Sequence, residues 1–91
     1  MTYMLCRNRV ANFFKWKAVF DAHLEAQADS GLRLLDLWRS VDDPNNVFFR
    51  FEVTDIEKAR QFINDPAAAK AGEESGVIDG EIHFVESIPD V

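Results

Sequence analysis

Hydrophobic and polar positions along the chain change period four times, and each change marks an element. Residues 3–10 place Tyr3, Leu5 and Arg7 on one side and Met4, Cys6, Asn8 and Val10 on the other, the two-residue alternation of a strand. At Asn12 the period lengthens. Phe13, Trp16, Phe20, Leu24 and Ala28 fall on one stripe at three- and four-residue spacing, which predicts an amphipathic helix capped by Asn12 and stopped at Ser30-Gly31. A second strand is predicted over 32–41. Asp42-Asp43-Pro44-Asn45-Asn46 then carries turn chemistry, with proline pre-set for the second turn position, and a hairpin follows. The third strand, 47–53, sets Val47, Phe49, Phe51 and Val53 against Phe48, Arg50 and Glu52. Thr54 and Glu57 have the spacing of a capping box, opening a helix through Ile56, Ala59, Phe62 and Ile63. Asn64-Asp65-Pro66 restarts a short helix through the Ala67-Ala68-Ala69 run, and Gly76 ends it. The last strand is predicted over 77–88, with Gly80 as a candidate bulge and Pro89 closing the domain.

Strand, helix, hairpin, helix, strand is the order of an α+β domain of ferredoxin-like βαββαβ type. Right-handed crossovers lay two main helices on one face of a four-stranded antiparallel sheet. The other face is left bare. If Phe49 and Phe51 point to the helices, Phe48, Arg50 and Val85 lie on the bare side; the second strand adds either Leu35 and Leu37 or Leu34 and Trp38. A surface that apolar calls for a cover, and a second copy of the sheet is the simplest one. Length agrees. At 91 residues the chain is one domain, 1–91, and a domain this small buries only roughly 60–65% of its unfolded surface, so association gains much.

Composition then removes whole classes of function. The net charge is −6, with most acids from Asp42 onward, a field that repels phosphate backbones, so no nucleic-acid partner is expected. No apolar run approaches the ~20 residues that cross a bilayer and no leader pattern opens the chain, so no membrane partner is expected. The single cysteine, Cys6, forms neither an intramolecular disulfide nor a zinc set, which suits a reducing, cytoplasmic setting. No phosphate loop, metal motif or serine triad is present, and no cofactor or metal is expected.

Four stretches carry a family resemblance: Val10-Ala11-Asn12-Phe13-Phe14-Lys15-Trp16-Lys17, Val19-Phe20-Asp21, Asp43-Pro44-Asn45 with Val47, and Ser75-Gly76-Val77. With them the chain resembles small bacterial proteins of the dimeric α/β-barrel group, related to antibiotic-biosynthesis-monooxygenase domains. The resemblance implies a homodimer whose barrel interior holds a small molecule. Haem-degrading members of the group use an asparagine on the first strand, a tryptophan and a histidine on the second helix. Asn8 and Trp38 could stand for the first two, but no histidine lies between Thr54 and Ser75, which speaks against haem degradation.

Glu81 and His83, two apart on a strand, share a face, where a carboxylate could orient an imidazole for proton transfer. A solvated or interface pair is the bland alternative. Arg50, between aromatic residues, could hold a carboxylate or phenolate of a ligand, or pair with Glu52, Glu81 or the partner chain. His83 and Arg50 are therefore the catalytic candidates, and Asn8, Trp38, Phe48 and Glu81 the substrate-binding ones. His23, on the rim of the first helix's apolar stripe, reads as a partly buried, hydrogen-bonded histidine, and Cys6 as a small buried hydrophobe. Two functions fit. One is a homodimer binding a small hydrophobic ligand and acting as a cofactor-independent monooxygenase or isomerase on an aromatic, polyketide-like compound. The other is a non-catalytic sensing or interaction module.

Overall fold

The computed structural model describes residues 1–89. Its elements run β1 (Thr2–Val10), α1 (Phe13–Ala22), α2 (Leu24–Asp29), β2 (Leu32–Arg39), β3 (Asn46–Val53), α3 (Ile56–Asn64), α4 (Pro66–Glu74) and β4 (Val77–Glu86). The four strands form one antiparallel sheet in the order β2-β3-β1-β4. The helices cover one face of it. Met4, Cys6 and Val10 of β1 and Val47, Phe49, Phe51 and Val53 of β3 are buried beneath them, as the alternation requires. Among the described residues no helix is long and apolar enough to cross a membrane.

The core is aromatic. Trp16 and Phe20 stack at 4.7 Å between ring centroids, Phe20 meets Phe49 edge-on at 5.2 Å, and Phe49 meets Phe51 edge-on at 5.7 Å. Full burial of such a ring is worth roughly 1.5–3 kcal/mol, with about 0.5–1.5 kcal/mol more for the ring geometry.

Each crossover contains two helices, where the sequence predicts a break in the second crossover alone. The first break lies at His23, and its cause is local. The His23 ring Nδ1 lies 2.8 Å from the Val19 carbonyl, the acceptor that its own backbone N–H would use in a continuing helix. That N–H bonds instead to the Phe20 carbonyl at 3.1 Å, tightening the turn and ending α1. The second break, at Asp65-Pro66, is the predicted one: Asp65 caps α4 by accepting from the Ala67 N–H at 2.8 Å. Asn12 caps α1 as expected, accepting from the Lys15 N–H at 3.1 Å. The cap of α3 is Asp55 and not Thr54, because the Thr54 N–H still bonds to the Gly31 carbonyl at 2.9 Å and delays the helix by one residue. Gly31, at φ +78°, takes the left-handed conformation that ends α2 and lets Asp55 approach so closely that a Cβ would lie 3.0 Å from its nitrogen.

The hairpin turn is also as predicted, with the Asn46 N–H bonded to the Asp43 carbonyl at 2.9 Å across Pro44. Two bulges interrupt the ladders. One lies between Leu34 and Asp36, so Leu32, Leu34 and Leu37 face the helices while Arg33, Asp36 and Trp38 face away. The other lies opposite Arg9 and Val10, at Ile78 and not at Gly80.

Candidate functional site

On the face away from the helices the pairing registers set three rows that span all four strands, followed by a shorter one, Asn46–Arg9–Asp79. The three full rows read Arg33–Glu52–Tyr3–Val85, Asp36–Arg50–Leu5–His83 and Trp38–Phe48–Arg7–Glu81. Five sequence-nominated residues therefore meet in two adjacent rows: Arg50, His83, Trp38, Phe48 and Glu81. Asn8 stands on the opposite face. Arg50 is paired with Asp36, its Nε donating at 2.8 Å, and its guanidinium lies 5.0 Å from the Tyr3 ring centroid. The partner was not foreseen because the bulge at Leu35 brings Asp36 onto this face. His83 Nε2 lies 3.4 Å from Glu81, which also receives Arg7 at 3.5 Å, and both His83 and Glu81 are more than half exposed. Hydrogen bonds from Arg9 and Arg7 hold the Asp79 carboxyl below the usual carboxylate range. Between these charges stand Leu5, Trp38 and Phe48, 38–49% exposed.

The other face of the sheet holds a cleft. Its volume is about 310 Å³, within the size range of small-molecule sites. The sheet wall is Met4, Cys6, Asn8, Phe49 and Phe51; the first crossover adds Trp16, Phe20, His23 and Gln27; the second adds Phe62 with Ala67, Ala68, Ala71 and Gly72. None of the lining residues is Asp, Glu, Lys or Arg. Burial pushes the Cys6 thiol up to about 12, so it stays protonated at neutral pH and is no nucleophile.

Most of the cleft's polar groups are already engaged. Asn8 is oriented with its amide oxygen accepting from Trp16 Nε1 at 3.3 Å and its nitrogen donating to the Arg7 carbonyl at 3.0 Å. Gly80 stands opposite Asn8 in the ladder, where a Cβ would come within 2.6 Å of the Arg7 carbonyl oxygen and of the Asn8 amide. That close approach, and not a bulge, is what demands glycine. Ser75 Oγ donates to the Gly72 carbonyl at 2.8 Å. His23 Nδ1 must carry its proton, since a carbonyl can only accept, which leaves Nε2 of the neutral ring as a lone-pair acceptor. Gln27 is different. Its Oε1 is buried with no hydrogen-bond partner, a condition that costs about 1–3 kcal/mol.

No protein-family model matches this chain, and no curated protein matches it in sequence. Solved structures do match in shape. One from Bordetella bronchiseptica, named as a candidate antibiotic biosynthesis monooxygenase, superposes with a TM-score of 0.75 at 10% identity over 96% of both chains. A second of the same naming, from Deinococcus radiodurans, gives 0.71 at 12% identity over 100% of this chain and 96% of that one. An uncharacterized NIPSNAP domain protein from Burkholderia xenovorans gives 0.70 at 13% identity over 100% and 98%. The chain has their ferredoxin-like fold. At such identities the likeness is one of fold, and it bears out the resemblance drawn from the sequence at that level.

Within this ferredoxin-like frame, Asn8 is the one cleft residue that the sequence nominates; of the polar side chains it passes over, His23 and Gln27 stand out. A signal for them existed. Positions 16, 20, 23 and 27 continue one helical stripe, and two polar residues on an apolar stripe are out of pattern unless something polar meets them.

Proposed function

We propose that this protein binds a small, largely apolar molecule in the cleft between sheet and helices, as a homodimer whose open sheet faces cover each other. The observation that carries the reading is the cleft itself: about 310 Å³, walled by aromatic and aliphatic side chains, with a few polar groups at chosen points. The apolar share of the open face supports the dimer, since Leu5, Trp38 and Phe48 stand together there beside Tyr3 and Val85. The fold neighbours named as candidate monooxygenases make cofactor-independent oxygenation or isomerisation the chemistry to test. Both begin by removing a proton from the bound molecule, and Nε2 of His23 is the basic atom available for it.

A second reading keeps the open face as the reactive one, with His83 moving a proton beside Glu81 and Arg50 holding a polar group. It is favoured by the 3.4 Å approach of His83 to Glu81 and by the shared row of His83 and Arg50. Native mass spectrometry tests the proposal directly: a dimer with a retained small molecule is expected. A monomer at micromolar concentration, with no retained mass, would sink it. Oxygen uptake with an anthrone then separates the two readings, since His23→Phe abolishes turnover in the first and His83→Ala in the second.

A further inference from the structure

We propose that His23 and Gln27 together form a two-acceptor station that admits neutral ligands carrying hydrogen-bond donors and turns anions away. The inference rests on the cleft being a ligand site and names the class of molecule that it takes. Three observations converge on it.

The first is charge. With no Asp, Glu, Lys or Arg among the lining residues, an ionised ligand would be stripped of water with no opposite charge to meet it. The second is the state of the other polar groups. Asn8, Trp16 and Ser75 satisfy one another or the backbone, and so offer a ligand little. The third is what remains. Among the cleft-lining side chains of the first crossover, the Gln27 amide oxygen is the buried atom left without a partner, and it accepts, as does Nε2 of the neutral His23 ring. The residues are four apart, joined by the Gln27 N–H to His23 carbonyl bond at 2.9 Å, so the side chains stand one turn apart on the same helix face. Rotation about the terminal Gln27 torsion, which is broad for a planar amide, turns the oxygen toward the cleft. A hydroxyl or N–H on an apolar frame satisfies it there, whereas an ether or a carboxylate brings only more acceptors.

Three probes of one shape test this by calorimetry: 2-naphthol, which donates; 2-methoxynaphthalene, which does not; and 2-naphthoate, which is charged. The unaltered protein is expected to bind 2-naphthol roughly five- to tenfold more tightly than 2-methoxynaphthalene, the size of one net hydrogen bond, and 2-naphthoate weakest of the three. Gln27→Met, close in length and volume, is expected to bring the naphthol to methoxynaphthalene ratio toward one by weakening naphthol alone. Gln27→Leu serves as the second variant and should do the same. A ratio unchanged in both variants, or naphthoate binding tightest, overturns the station while leaving the cleft a ligand site. Failure of all three probes to bind the unaltered protein overturns the ligand-site reading, and the station with it.

Discussion

The two crossovers cover the same sheet with side chains of opposite size. The first lays Trp16 and Phe20 on Phe49 and Phe51, ring against ring, with Trp16 2% and Phe20 7% exposed. In the second, Ala59 of α3 and the Ser75 cap are buried, Phe62 and Ile63 are partly so, and α4 itself has no buried residue. It turns Ala67, Ala68, Ala71 and Gly72 toward the sheet, where longer side chains would have reached it. Stability is thus concentrated under the first crossover and space under the second. Packing at the density of protein interiors leaves few holes unless small residues face them, so the cleft is a consequence of the alanines.

The strongest test of that contrast is a pair of substitutions in opposite directions. Phe20→Ala is expected to cost about 3–5 kcal/mol in urea unfolding, as for other large-to-small changes under close packing. Ala68→Leu, which adds volume where there is room, is expected to cost less than about 1.5 kcal/mol and yet to abolish 2-naphthol binding. Equal costs for the two would mean that the crossovers are equally tight.

A smaller effect is expected at the seam between β1 and β4. Gly80→Ala drives a methyl against the Arg7 carbonyl oxygen and the Asn8 amide, at a cost of about 1–3 kcal/mol. Adding Asn8→Ala should recover only part of that loss, because the Arg7 backbone remains in the way. Full recovery in the double variant would show that the side chain alone sets the limit. At neutral pH the smallest effect, nil, is that of Cys6 ionisation, which is felt only in alkali. The thiol ionises near 9.0 when free and at about 12 when folded, so unfolding releases a proton in between. The sign follows: the contribution is fully present below pH 9 and is lost as pH rises from there toward 12. The alkaline fall of the urea midpoint should accordingly be shallower in Cys6→Ala, and identical slopes would show that the thiol is not shielded.

Much of this could be read from the chain because the deciding signals are local. Asn12, Pro44 and Asp65-Pro66 act on backbone groups within a few residues, and the alternation in β1 and β3 names the buried face without reference to anything distant. What escaped the reading depends on partners far along the chain. A strict two-residue period could not say which leucines of β2 point inward, since the bulge at Leu35 changes sides midway. The delay of α3 to Asp55 comes from a bond to Gly31, a residue from the other crossover. The break at His23 was within reach in principle, being a contest between a ring nitrogen and a backbone N–H for one carbonyl. The cleft was not, because a hole is a property of all the elements around it at once. The site candidates illustrate the same division. Alternation placed Arg50, Phe48, His83 and Glu81 on one face; Trp38, whose side the sequence left open, joins them because of the bulge in β2, while Asn8 sits across the sheet because its parity in β1 is that of Met4 and Cys6.

The chain's two tryptophans lie on opposite sides of a single layer of backbone, Trp16 almost fully enclosed and Trp38 49% exposed. The domain thereby carries two optical reporters with separate jurisdictions. Emission from Trp16, seen alone in Trp38→Phe, answers to whatever enters the cleft. Emission from Trp38, seen alone in Trp16→Phe, answers to whatever covers the open face and shifts to shorter wavelength as water leaves. Acrylamide quenching of each indole in turn would then follow occupancy and self-association as two independent curves, read without a label from the same solution conditions.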